Sequence, residues 1–502
     1  MKTEIPGVDW LLDCEPRLVQ LEALARSYTG MSYRDVRDED PHPEPLDHQG
    51  MPARGWGHML EMRLGKTPVL LNEFLLFRRD HGMKRAFVLA PNKYKDTWVL
   101  EAQKFGVEVP VMAFESGPGG GKRLRRFMEQ DEGMLFVNYE ALTSDANVAL
   151  FGDFINDRTY MGADESVFLK NRNSGFFKKA HELSKSAAVT RPMTGKPTPQ
   201  GVQDLYSQLR FARCVEGWNF YQFRGKFAVL GGFRGKQILG VKNEDRLQAL
   251  TRQCYFFARR ADWGTSIDSD YETAKLDMTP VQVAAYKEME EDFITMLGDG
   301  TMVSVDQVIT KNMKLQQISS GFIYDEEGNT KILMPFVKTP KFVDLLDRLR
   351  NYETNKVIVI CHYKPTMTML LEHLEEFCPA VIRGGVDMKK LGRDVDGEKG
   401  RFNEDPKCRV MLGQSKAIKY GHTLMGLPND PCLTTIYFEN SYSLDDRAQS
   451  EERNQGEGQQ GAIHVVDYVS SPIEERVIAA LQRKEDVAAA IMGYYKEKQD
   501  VG

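Results

Sequence analysis

The chain has 502 residues, of which 41% are hydrophobic and 27% charged. That length exceeds what one hydrophobic core supports, and the composition is that of two or three globular domains, not of a disordered or fibrous chain. A net charge of −6, with 66 Lys and Arg against 72 acids, leaves any nucleic-acid contact to local basic clusters.

Seven cysteines stand singly, without a CxxC pair, which argues against a disulfide framework or a zinc site and for a reducing, cytoplasmic setting. No run reaches the roughly 20 apolar residues of a membrane span, and no signal segment opens the chain. In chain order, "WLLDCEPRLVQLEALARSYTG" has apolar residues at helical spacing, and "DEDPHPEPLDHQG" breaks it with prolines. Residues 1–44 therefore read as a helical extension and linker.

Alternation begins next. "RAFVLAP", "MLFVNYEAL" and "SAAVTRPMTG" are apolar runs suited to buried parallel strands, separated by amphipathic stretches such as "YKDTWVLEAQKFG". This pattern fills 45–213. From 214 to 334 strand-like runs thin out and helical segments such as "TPVQVAAYKEMEEDFITMLG" dominate, so a mainly helical insertion is expected. Alternation resumes over 335–482 with "KVIVICHY", "PAVIRGG", "CRVMLGQS", "TTIYFENS" and "AIHVVDYVS". A charged helix closes the chain, its last part at 483–502. The predicted fold class is α/β, with two doubly wound parallel-sheet lobes.

"EMRLGKTPVLLNEFL" ends its turn in Gly65-Lys66-Thr67, as a phosphate-binding loop does before its helix. Pro68 suits the first helical turn. Leu60 stands where the usual loop has its first glycine, so the tripeptide alone serves equally as an ordinary turn. "GADESVFLKN" supplies Asp164 and Glu165; in a nucleotide hydrolase the first acid holds Mg²⁺ and the second directs water. "MTGKPTPQGVQDLYSQLRF" follows with Thr194. The ordered series is far less ordinary than any one piece.

Taken together these segments resemble superfamily-two helicases of the Swi/Snf-like branch of DNA-dependent ATPases, in a compact form like those of bacteria and phages. The resemblance runs from about Pro45 to Leu481. "LDHQG" is similar to the glutamine motif and "EMRLGKT" to the phosphate loop. "FVLAPNKYKDTWVLEAQKF", with Trp98, and "FVNYEAL" resemble the next two motifs, followed by "DESVFLKN" and "MTGKPTPQ". "FFARRADWG", "LQQISSGF" and "TPKFVDLLDRL" resemble the lead into the second lobe. "KVIVICHYKPTMTMLLEHL", "GQSKAIKYGHTL" and "DRAQSEERNQGEGQQG" are similar to motifs four to six.

The resemblance implies two RecA-like lobes, ATP and Mg²⁺ as cofactors, and double-stranded DNA as partner of a chain that is monomeric when free. Gln49 would read adenine, Gly65, Lys66 and Thr67 bind phosphate and Mg²⁺, Asp164 hold Mg²⁺ and Glu165 direct water. Gln449 and Arg453 would complete the site from the second lobe, and Thr194 and Gly421 would couple nucleotide state to the strand. Lys170 and Asn171 would lie toward nucleic acid, and Arg259 and Arg260 would either touch the strand or pack against the lobes. The implied activity is ATP-driven translocation on duplex DNA in replication, recombination or repair. A strand-separating or branch-migrating helicase and a nucleotide-gated DNA-binding protein are the alternatives.

Three positions depart from the family pattern. Arg63 replaces a glycine of the loop, Val167 replaces the histidine of DEAH, and Gly456 stands where motif six has its second arginine. Outside the motifs, Arg224, Lys226, Arg234, Lys236 and Lys242 form a basic, aromatic stretch that reads either as a phosphate contact or as a solvated loop. "ESGPGGGKRLRR" is not a second phosphate loop, because Arg123 follows its lysine.

Overall fold

The computed structural model describes residues 5, 7–33, 43–46, 52–92, 94–198, 201–231, 237–263, 268–298, 305–351, 356–384, 388, 391–418, 423–455, 459 and 461–483. The chain divides into two compact units, Met1–Ser266 and Ile267–Gly502.

The first unit opens with α1 (Leu18–Leu24), a π-turn (Ala25–Thr29) and a short antiparallel pair, Met31–Tyr33 with Pro43–Pro45. Its strands are β1 (Gly57–Leu60), β2 (Arg85–Ala90), β3 (Val111–Ala113), β4 (Gly133–Asn138), β5 (Thr159–Ala163), β6 (Val189–Pro192) and β7 (Tyr255–Ala258). Five of them form a parallel sheet in the order β3-β4-β2-β5-β6. β1 pairs in parallel with β7, and parallel bridges from Gly55 to Thr190 and from His58 to Met193 join β1 to the β6 side.

Period-two alternation makes both faces apolar, as a parallel sheet requires. Along β2, Phe87 and Leu89 enter one core while Ala86, Val88 and Ala90 enter the other. Helix α2 (Lys66–His81) follows β1 and buries Leu70, Leu71, Phe74 and Phe77 on the second of these cores.

The second unit repeats the plan with β8 (Ser269–Lys275), β9 (Val357–Cys361), β10 (Ala380–Ile382), β11 (Val410–Gln414), β12 (Thr434–Tyr437) and β13 (Ile463–Val469). All pair in parallel, in the order β8-β13-β12-β9-β11-β10. The α/β class expected from the alternation is the one observed, and each of the five apolar runs of the second half contains a strand.

The division falls inside the stretch 214–334 that was expected to be mainly helical. That stretch also carries strands: β7 pairs beside β1, β8 forms the edge of the second sheet, and Ala228–Gly231 pairs antiparallel with Gln237–Val241. Edge position explains why β8 has no apolar run: of "SDYETAK" only Ala274 is buried. β7 is four residues long and too short for periodicity to register.

Two buried polar clusters tie elements together. In the first unit Glu73 of α2 accepts from Arg191 Nε at 2.9 Å and from the Tyr160 hydroxyl at 2.6 Å, and lies 3.3 Å from His58 Nε2. Burial alone would raise the Glu73 carboxyl, but Arg191 and His58 override it and hold it well below the usual carboxylate range. In the second unit Lys341 Nζ donates to Glu474 at 2.8 Å and to Ser319 Oγ at 3.0 Å. Among the described residues no helix is long and apolar enough to cross a membrane.

Candidate nucleotide site

In the first unit the C-terminal ends of parallel strands bring the expected phosphate residues to one edge of the sheet, where ligands bind in open α/β folds. β1 runs into the loop 61–65, β5 ends before Asp164 and Glu165, and β6 ends two residues before Thr194. Gly65 is in the left-handed region, φ 83°, and directly precedes α2, so Lys66 and Thr67 are its first two residues. Helix N-terminal amides and a glycine that admits close approach are the ingredients of an oxyanion cradle.

The three motif segments meet at one carboxylate. Lys66 Nζ donates to Glu165 Oε1 at 3.3 Å, and Thr194 Oγ1 donates to Glu165 Oε2 at 3.0 Å. Glu165 itself is left-handed, φ 47°, a conformation uncommon for residues other than glycine and concentrated at functional sites. Thr194 thus reaches Glu165 directly, in a chain that has Val167 in place of the motif's histidine.

Asp164 is buried, with 8% exposure. Trp98 Nε1 donates to its Oδ2 at 3.0 Å, the Tyr139 hydroxyl donates to its carbonyl at 2.7 Å, and its own Oδ1 accepts the Glu165 amide at 2.9 Å. Burial and the neighbouring Glu165 push the Asp164 carboxyl up to about 6, against the pull of Lys66 and Trp98. Of the aromatic residues in the two intervening motifs, Trp98 therefore fixes this carboxylate and Tyr139 fixes the backbone that carries it. A buried, aimed carboxylate beside a lysine and a helix N-terminus is a donor set that fits a divalent cation on a triphosphate.

Sequence reasoning missed Gln20. It lies in α1, is 4% exposed, accepts the Arg17 amide at 2.8 Å, and packs so closely on the loop that a Cβ built on Gly65 would stand 1.9 Å from its Nε2. Arg17 Nη1 donates to the Arg63 carbonyl of the same loop. The expected adenine reader, Gln49, lies outside the described residues, as do Gly421, Arg234, Lys236 and Gly456.

Among the remaining expected residues, Lys170 accepts at its carbonyl from Ser207 Oγ at 3.0 Å, and Asn171 Oδ1 accepts the Asn173 amide at 2.9 Å. Arg259 is paired with Asp262 at 2.8 Å, and the Arg260 amide donates to Glu61 at 2.8 Å, next to the phosphate loop. In the second unit Arg453 is buried and its Nε donates to the Gln449 carbonyl at 2.7 Å. Arg447, in the same motif, is held by Asp467 and Asn440 and lies 3.7 Å from the Tyr437 ring centroid.

Residues 4–321 match the family model described as SNF2-related domain. The chain is similar to ATP-dependent helicase brm of Drosophila melanogaster, with 22% identity over 467 residues, covering 84% of this chain and 27% of that protein. It is also similar to putative protein p41 of Acyrthosiphon pisum secondary endosymbiont phage 1, with 25% identity over 338 residues, covering 62% of this chain and 69% of that protein. A solved Sulfolobus solfataricus SWI2/SNF2 ATPase core in complex with dsDNA aligns at 16% identity and a TM-score of 0.42, over 99% of both chains. The chain spans only 27% of the length of the fly relative.

Proposed function

The chain belongs to the SNF2-related domain family, and on that premise we propose that it is an ATPase stimulated by duplex DNA that converts hydrolysis into translocation, in replication, recombination or repair. The observation that carries the reading is the convergence of Lys66 and Thr194 on the Glu165 carboxylate beside buried Asp164. Lys66 and the amides of the loop bind phosphate oxygens. Thr67 and Asp164 are the residues that would hold Mg²⁺, which when bound neutralises phosphate charge. Glu165 orients water and takes its proton, and the Thr194 hydroxyl holds the side chain in line. Phosphoryl transfer asks for little covalent chemistry from a protein, so positioning and charge supply the acceleration. Gln20 and Arg17 act as positioning residues for the loop.

The test is phosphate release with and without duplex DNA, single strands and RNA, run beside Lys66→Ala. The reading requires duplex-stimulated turnover that Lys66→Ala abolishes; no stimulation above the Lys66→Ala background by any nucleic acid refutes it. A second reading, a nucleotide-gated DNA-binding protein with little turnover, is favoured by Gly456 and by the Arg453 Nε bond to Gln449. An arginine supplied to the transferring phosphoryl is worth about 10³–10⁵ in rate. That reading requires ATP-dependent DNA affinity with negligible release, unchanged by Glu165→Gln.

A further inference from the structure

Residues 217–243 carry Arg224, Lys226, Arg234, Lys236 and Lys242 and not one acid, in a chain of net charge −6. Within this stretch lies α3 (Phe220–Phe227), started by a capping box in which Asn219 Oδ1 accepts the Gln222 amide at 2.9 Å. One face of α3 is anchored: Phe223 and Phe227 are buried with Tyr206, Leu209 and Tyr255. Tyr221 points away from that core and is 63% exposed.

Two guanidinium groups sit over the aromatic pair beside it. Arg172 Cζ lies 4.5 Å from the Phe220 centroid and 5.3 Å from that of Tyr221. Arg224 lies 5.7 Å and 5.6 Å from the same two rings. Arg172 directly follows Lys170 and Asn171 in the chain, so the cluster adjoins the turn that leaves Glu165. Among the described residues neither Arg172 nor Arg224 forms an ion pair.

A fastening of α3 to that turn would need only the Arg172–Phe220 contact. Arg172 Nη2 also donates to the Tyr221 hydroxyl at 3.4 Å, a long bond that orients the ring but leaves Tyr221 63% exposed. That exposed ring and a second arginine without a carboxylate exceed what the fastening needs, and they are what a nucleic-acid strand recognises. Planar rings and guanidinium planes stack on bases, and the remaining N–H groups meet phosphate oxygens. Inside a duplex the base faces are already stacked, and reaching them costs the free energy of unstacking a base step, whereas unpaired bases offer their faces without that cost.

We propose that Phe220, Tyr221, Arg172 and Arg224 form a stacking platform for unpaired bases of a DNA strand, so that the protein favours duplex bearing a single-stranded stretch over blunt duplex. The proposal rests on the DNA-binding reading given above and narrows its substrate.

The experiment is anisotropy of the full chain, without nucleotide, on a labelled blunt duplex and on the same duplex with a single-stranded tail. The tail is expected to tighten binding by about tenfold, the scale of one stacked base. Tyr221→Ala and Arg172→Ala bring the tailed-to-blunt ratio close to one, and Tyr221→Trp restores it. A 2-aminopurine placed in the tail is quenched on binding by the unsubstituted protein and not by Tyr221→Ala, a response that a merely structural tyrosine would not produce. Equal affinity for the two DNAs, or a ratio that survives Tyr221→Ala, overturns the platform and leaves the motor reading standing. Failure to bind either DNA overturns both.

Discussion

Replacing Glu73 by leucine tests how far the buried cluster on α2 stabilises the first unit. Glu73 and Arg191 are both fully buried, and the guanidinium meets the carboxylate through Nε at 2.9 and 3.0 Å. Glu73→Leu leaves the Arg191 charge buried without its partner, which costs about 3–5 kcal/mol. Adding Arg191→Met removes that charge. What then remains is the Tyr160 hydroxyl, which loses the acceptor it now reaches at 2.6 Å, and His58 Nε2, which loses its contact at 3.3 Å, each a loss of about 1–3 kcal/mol. The double variant is therefore expected to be more stable than Glu73→Leu alone. The assay is urea unfolding followed by tryptophan fluorescence, because Trp10, Trp56, Trp98, Trp218 and Trp263 all precede Ile267 and so report on the first unit only. The pH dependence has a definite sign. A carboxyl held low in the folded state contributes stability that is complete above the usual carboxylate range and is lost as pH falls through the folded value. The unsubstituted protein should lose first-unit stability on acidification more steeply than Glu73→Leu. A double variant no more stable than Glu73→Leu, or unchanged acid sensitivity, would refute the reasoning.

At the loop, Gly65→Ala puts a side chain on a left-handed residue, at about 1–2 kcal/mol, and drives it into Gln20, 1.9 Å away; binding of a fluorescent ATP analogue should weaken about tenfold or more, and unaltered binding would dissociate Gln20 from the loop. Thr194→Val keeps the shape and removes a hydrogen bond to a charged group worth about 1.5–3 kcal/mol. Steady-state kinetics should show kcat lowered about 10- to 100-fold with KM for ATP little changed; an unchanged kcat means that the hydroxyl does not hold Glu165. In the second unit, Asp467→Ala removes one of the two carboxylates on buried Arg447 and leaves Glu451 as its partner, at about 1–3 kcal/mol, and hydrogen exchange of Thr434–Tyr437 and Ile463–Val469 should accelerate while that of Gly133–Asn138 does not.

What the sequence discloses depends on how far apart the cooperating residues are. Gly65-Lys66-Thr67, Asp164-Glu165 and Thr194 were legible as motifs because each begins within five residues of a strand's C-terminal end and its chemistry is written in adjacent residues. Gln20 was not, because its place over Gly65 comes from packing of α1 on α2, across 45 positions of chain. The Glu73–Arg191 pair spans 118 positions, and in sequence each residue is only one charge among many. Strand β8 escaped notice for another reason: at an edge, polar residues are allowed to face solvent, and the alternation that marks a strand is lost.

Arg63 is the most instructive case. The family pattern has glycine there, and glycine in a motif stands for a dihedral angle, not for a chemical group. The chain breaks the pattern by residue type yet keeps the angle: Arg63 sits at φ 67°, and Arg17 donates to its carbonyl. A left-handed residue other than glycine persists only when its surroundings over-determine it, and the N-terminal helix provides that determination through Arg17 and Gln20. The departure at Arg63 therefore makes the loop depend on the residues ahead of it. Truncation before Leu21 should then weaken ATP binding in this chain and weaken it less in an Arg63→Gly background, where the angle no longer needs support. Equal losses in the two backgrounds would separate the helix from the loop.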